Sequence, residues 1–140
     1  MTFLDARSQY RRANSGATTV PEDPHGIVLF TLRELERALQ VVAAAMADDR
    51  PMPDLHLTRA LTAIYVLQSS LDFEKGGEIS DNLFKVYEHC RQQLLATFRR
   101  EDGADLGRCA QLIGGIISAW AQIAPNPAAA TPAASSSRQP

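Results

Sequence analysis

One spacing governs this chain. In four separate stretches, apolar residues recur at steps of three and four, and each stretch is bounded by proline or glycine. That period matches the turn of an α-helix and gathers the apolar side chains on one face, whereas a half-buried strand alternates at every second residue. Val28, Leu32, Leu35, Leu39, Val42 and Met46 form the first series. Ala60, Ile64, Leu67 and Leu71, with Leu57 and Leu61 alongside, form the second. Leu83, Tyr87, Cys90 and Leu94 make the third, flanked by Val86 and followed by Phe98. Leu106, Cys109, Ile113, Ile116, Trp120 and Ile123 make the fourth. Four helices with short connections predict an all-α fold: an antiparallel up-down bundle of four main helices.

The breaks between the series set the boundaries. Asp23 suits the N-cap of the first helix, and Pro24 suits its first position, where a missing N–H costs nothing. Pro51 and Pro53 end that helix, and Asp54 is expected to cap the second, which is expected to run to about Glu74. The pair Gly76 and Gly77 then reads as a structural turn. Gly76 is expected in the left-handed position after the last turn, and Gly77 lets the chain reverse before a third helix begins near Ser80. "RREDGAD", with Gly103, separates the third helix from the fourth, and Pro125 stops the fourth. The bundle domain is therefore expected over residues 20–124. Residues 1–19 read as a flexible N-terminal arm, in which Leu4 and Tyr10 are the candidates for docking. "PNPAAATPAASSSRQP" (125–140) has nothing large enough to offset its ordering entropy and reads as a disordered tail.

The remaining composition narrows the chemistry. A formal net charge of -2, with arginines scattered rather than clustered, argues against nucleic acid as a partner. No stretch approaches the length and apolarity of a membrane-spanning helix, and the N-terminus lacks the order of a signal peptide, so a cytoplasmic protein without membrane insertion is expected. Helical bundles can hold di-metal sites, but the single Glu-x-x-His, Glu22 to His25, spans Pro24 at a helix start and cannot present both groups inward. His89 and Cys90 are adjacent and diverge by about 100° on a helix. Cys90 and Cys109 fall on apolar faces and read as buried, reduced thiols; a metal or redox bundle using them with His89 is the minor alternative. "KGG" lacks the spacing of a phosphate loop, and "LIGGII", around Gly114 and Gly115, reads as a close helix crossing or a wide groove. No cofactor and no enzymatic activity are expected.

The stretch "SSLDFEKGGEISDNLFKVYE" closely resembles the signature of the flagellin export chaperones, the FliS family. The likeness continues through the last helix to "AWAQI", and "QYRRAN" and "DPHGIVLF" resemble the family's N-terminal tyrosine segment and first helix start. Two departures stand out. Arg7 falls about where the family usually carries a first tyrosine, and "TLRELER" replaces a Tyr-Asp-Gly-like patch. The resemblance implies a cytoplasmic binding module that wraps the C-terminal segment of flagellin, prevents early polymerisation and delivers it to the flagellar type III export gate at the membrane. Contacts with other flagellar regulators, including the anti-sigma factor, are known in the family. The divergence at "TLRELER" leaves open a related flagellar or type III adaptor that holds a different client or regulator.

Apolar residues off the main stripes, among them Ile27, Phe30, Val66, Phe84 and Ile117, exceed what one seam requires. They imply either a fat core or a groove for amphipathic helices. The client-binding or groove-covering candidates are Tyr10, Ile64, Leu67, Leu71, Leu83, Val86 and Tyr87. For Tyr10 two readings stand: it covers the empty groove until a client displaces it, or it is simply exposed.

Overall fold

The computed structural model describes residues 21–123; the predicted arm, with Tyr10, and the predicted tail lie outside the described residues. Four helices follow one another: α1 (Pro24–Ala47), α2 (Asp54–Ser69), α3 (Phe73–Phe98) and α4 (Leu106–Gln122). They form the expected all-α bundle. α1 lies between α2 and α4, and α3 lies across from α1, with its backbone close only to α2 and α4.

The caps explain where the helices begin. Asp23 accepts from the Gly26 backbone N–H at 2.8 Å, and Pro24 occupies the first turn, as the sequence predicts. Asp105 likewise accepts from the Arg108 N–H at 3.0 Å. At α2 the expectation shifts by one residue: Pro53 is the cap, without a side-chain bond, and Asp54 sits inside the first turn, where its charge complements the helix dipole.

The segment around the glycines differs from the prediction. α2 ends at Ser69, not near Glu74, and only Ser70, Leu71 and Asp72 join it to α3. The corner therefore precedes the glycines, which lie inside α3. Asp72 organises it. Its carboxylate accepts from the N–H groups of Glu74 (3.1 Å) and Lys75 (3.0 Å), while its carbonyl accepts from the Gly76 N–H (2.7 Å) and the Ser80 hydroxyl (2.9 Å). The positive-φ residue is Gly77 (φ 50°, ψ -123°) and not Gly76. That conformation is open to glycine and strained for an L side chain. Gly76 is needed for a different reason: a Cβ there would lie 1.9 Å from Ser80 Oγ.

The core is continuous through all four helices. Leu32, Leu35, Leu39 and Val42 of α1, Ile64 and Leu67 of α2, Tyr87, Cys90 and Leu94 of α3, and Cys109 and Ile113 of α4 are all sealed from solvent. Each buried leucine contributes about 1.5–3 kcal/mol relative to exposure. α1 buries more than its predicted stripe, because Ile27, Thr31, Ala38 and Ala45 are covered too. Thr31 is accommodated by donating its hydroxyl to the Ile27 carbonyl at 2.7 Å. The open end of the bundle is closed by His25 and Trp120. Their rings stack with centroids 5.2 Å apart, His25 Nε2 donates to the Trp120 carbonyl (3.0 Å), and Trp120 Nε1 donates to the His25 carbonyl (3.1 Å). This pairing sets the start of α1 beside the end of α4, so the two run antiparallel.

α1 and α3 end alike. The N–H groups of Asp48, Asp49 and Arg50 return to Ala44, Met46 and Ala45, and those of Arg99, Arg100 and Glu101 return to Leu95, Thr97 and Ala96. Each motif places a non-glycine residue in the left-handed region, Asp49 at φ 56° and Arg100 at φ 59°. Replacing either by glycine relieves that strain, so Asp49→Gly and Arg100→Gly are each expected to stabilise the fold by about 0.5–1 kcal/mol. Gly77→Ala is expected to destabilise it by about 1–3 kcal/mol through backbone strain alone, since a Cβ there meets no atom. Urea titrations of the three variants check both signs.

Candidate functional site

The bundle leaves apolar side chains uncovered around the first half of α3. On the flank toward α2, Phe73 (47% exposed) and Phe84 (38% exposed) contact each other, with ring centroids 6.1 Å apart. On the flank toward α4, Ile79 is 70% exposed, and Leu83 and Val86 follow it along the helix, each partly covered. One bond fixes how α3 and α4 pass one another: Gln93 Oε1 accepts from the Asp105 N–H at 2.9 Å. With that register, helical period turns Leu112 and Ile116 of α4 toward the same groove. Ile123, just past the end of α4, is 53% exposed. The two sides make an apolar trough whose floor is the Cys90–Cys109 layer of the core.

The glycine pair in α4 is divided between two neighbours. Gly114 faces α1, where a Cβ would lie 2.9 Å from Glu36 Oε2, so its absence makes room for that carboxylate. Gly115 faces open space, and a Cβ there would meet nothing. The reading of "LIGGII" as a crossing therefore holds for Gly114, while Gly115 borders the trough.

The sequence-predicted site residues separate by burial. Ile64, Leu67 and Tyr87 are sealed inside the core, and burial, with Cys90 close by, pushes the Tyr87 phenol up to about 12. In this arrangement of the helices, a partner on the surface does not reach these three. Leu71, Leu83 and Val86 are partly covered and stay accessible at the surface. Tyr10 lies outside the described residues. Sequence reasoning did not select Phe73, Ile79, Leu112, Ile116 or Ile123 as site residues. Ile79 was hard to find, because it stands four residues before Leu83 and continues the third apolar series, and only the fold leaves it 70% exposed.

A polar node flanks the trough on the side of α2. Glu88 accepts from Arg91 Nε (3.0 Å) and Nη2, from Gln92 Nε2 (2.9 Å) and, across the helix boundary, from Gln68 Nε2 (3.3 Å). These bonds, Arg91 foremost, hold its carboxyl down to about 2. A depressed carboxyl contributes stability that is complete above its unfolded value and lost as pH falls. The difference in melting temperature between wild type and Glu88→Gln is therefore expected to be small but positive at pH 7, because the site is solvent-exposed. It should vanish as pH falls from 4.5 toward about 2. Thermal scans across that window check it.

A second concavity lies at the other end of the bundle. It is an open cleft of about 520 Å³ between the ends of α1 and α3 and the start of α4, with Ala43, Met46 and Leu106 among its apolar lining and Arg100, Glu101 and Asp105 among its polar lining. Among the described residues, no group of three or more His, Cys, Asp or Glu side chains is placed to hold a metal ion, and no helix is long and apolar enough to cross a membrane.

Comparison with known proteins gives this surface its context. The sequence model of the family described as flagellar protein FliS matches residues 6–127. The chain belongs to the FliS family. It is 31% identical over 117 residues to the flagellar secretion chaperone FliS of Vibrio cholerae, covering 83% of this chain and 86% of that protein. It is 26% identical over 121 residues to flagellar secretion chaperone FliSB of Pseudomonas aeruginosa, covering 86% of this chain and 96% of the relative. A shorter match, 39% over 59 residues, links it to the FliS of Salmonella typhimurium, with 42% of this chain and 44% of that one covered. No solved structure matches the chain. The protein is thus a flagellar secretion chaperone of the FliS family, a role that calls for an adhesive surface and not for a catalytic group.

Proposed function

We propose that this FliS-family chaperone binds the C-terminal segment of flagellin in the cytoplasm. By covering that segment it prevents premature polymerisation, and it then delivers the subunit to the flagellar type III export gate. The observation that carries the reading is the apolar band around α3. Ile79 at 70% exposure heads a row with Leu83 and Val86, and Phe73 and Phe84 lie on the opposite flank. Single exposed apolar side chains are ordinary, but a row of them along a helix–helix seam, with a phenylalanine pair on the other flank, suits the apolar face of an amphipathic helix. A client that is disordered when free offsets its ordering cost by burying its own apolar face there. The band is held in place by the Asp72 corner, so the chaperone has little to reorganise on binding.

The departure at "TLRELER" supports a second reading, an adaptor for a different client. In that stretch Thr31, Leu32 and Leu35 are core, and the difference reaches the surface only through Arg33, Glu34, Glu36 and Arg37. Such a change alters partner choice through charge at the rim more than through the apolar contact itself.

Calorimetry and circular dichroism with the C-terminal peptide of flagellin from the same organism test the first reading. Heat of binding and a gain in helix are expected, and neither signal appears if the client is something else. Ile79→Asp is expected to weaken binding by about tenfold or more while leaving the melting temperature nearly unchanged, because the side chain supports no core contact.

A further inference from the structure

We propose that Ser80 is a positioning residue for the binding surface: its hydroxyl ties the first turn of α3 to the body of that helix and so sets where Phe73 meets a client. Its effect on binding rests on the reading given above; the tie itself does not. α3 is one helix by its length and two by its backbone. Gly77, at φ 50° and ψ -123°, leaves the helical region and divides the turn at residues 73–76 from the body beyond it.

The bond that Ser80 makes is not the one its position offers. Thr31, Ser69 and Thr97 each donate a hydroxyl to the carbonyl four residues back, at 2.7, 2.7 and 2.8 Å. Any turn of helix provides that acceptor. Ser80 donates instead to the Asp72 carbonyl, eight residues back and on the far side of the kink, at 2.9 Å. The residue is 5% exposed, so water competes little for this bond. Gly76 keeps the approach open, because a Cβ there would lie 1.9 Å from Ser80 Oγ.

The other bonds of Asp72 stay within the turn. Its carboxylate takes the N–H groups of Glu74 and Lys75, and its carbonyl also takes that of Gly76. They shape residues 72–76 without fastening them to the body of α3. Phe73 rides on this turn, and its ring contacts Phe84 of the body. Both rings stay partly open to solvent, so their contact captures only part of the apolar transfer energy and holds the turn weakly. Without the Ser80 hydroxyl the turn swings about Gly77 and Phe73 leaves its place beside Phe84. A client must then order the turn as it binds, which lowers affinity. Ile79 and Leu83 stand beyond the kink, and their placement does not depend on the tie.

The test titrates the flagellin C-terminal peptide into full-length wild type, Ser80→Ala, Phe73→Ala and the double variant, with folding checked by circular dichroism. Ser80→Ala is expected to weaken binding by about fivefold and Phe73→Ala by about tenfold. The double variant should bind like Phe73→Ala alone, because Ser80 acts through Phe73. Combined with Ile79→Ala, the Ser80→Ala loss should multiply. A serine that only supports the fold lowers the melting temperature without producing this pattern. Losses that multiply in the Phe73 pair, or an affinity untouched by either single change, would overturn the proposal. If Ser80→Ala fails to fold, Gly76→Ala displaces the hydroxyl while keeping the serine. Its loss of affinity should likewise vanish in the Phe73→Ala background, and a loss that persists there overturns the proposal.

Nuclear magnetic resonance reads the tie without a client. Cross-peaks between the Phe73 and Phe84 rings are expected in the wild type and lost in Ser80→Ala; cross-peaks that survive the change would overturn the tie. If the peptide binds none of these proteins while the cross-peaks are lost in the variant, the client reading fails and the tie stands.

Discussion

The bundle depends on one helix burying two faces at once. α1 lies between α2 and α4, and its sealed residues Leu32, Leu35, Leu39 and Val42 form the centre of the core. A single stripe cannot serve two neighbours, so the buried arc widens to take in Ile27, Thr31, Ala38 and Ala45. Small residues on the facing helices, Ala60 and Ala63 on α2 and Ala110 with Gly114 on α4, let the backbones approach. The α3 backbone comes close only to α2 and α4, and α3 is held in the core through larger side chains, Tyr87 and Leu94. Its flanks are consequently the least covered part of the apolar surface, and that is where the adhesive band lies.

The start of α3 is built with matching care. One residue, Asp72, supplies the side-chain cap and the carbonyl that holds both Gly76 and Ser80. Gly76 makes that approach sterically possible, and Gly77 supplies the backbone angle that bends the helix immediately after it. The kink turns Ile79 outward while Ser80 is drawn inward. The family signature is therefore mainly a folding device. It also presents three of its own residues, Phe73, Ile79 and Phe84, to solvent.

How far these features could be read in the sequence depended on how local they were. Asp23 with Pro24, and the stops at Pro51 and Pro53, follow from the backbone preferences of the residues themselves, and the structure shows the helix ends they imply. The second corner was misplaced because the apolar step from Leu67 to Leu71 continues the helical period. The competing signal, an aspartate able to cap the following turn, was weaker on paper than the glycine pair beyond it. Gly76 and Gly77 exchanged roles for a related reason: which of two adjacent glycines takes the positive φ depends on what their neighbours must reach, here Ser80 reaching Asp72. Ile64, Leu67 and Tyr87 looked like surface candidates because a stripe has no inside or outside until a second helix covers it.

The sequence by itself determined the number and type of elements and the composition of the core stripes. It also carried the signature that marks the family. Those depend on hydrophobic period and on the backbone limits of proline and glycine, which act within a few residues. Only the tertiary structure decided that α1 would be buried on two sides and α3 on fewer, and that Gly114 would serve Glu36 while Gly115 faced solvent. It also drew Cys90 and Cys109 into one buried cluster. These outcomes depend on which helices are neighbours and how they are offset along their lengths, and that is fixed by packing between segments far apart in the chain.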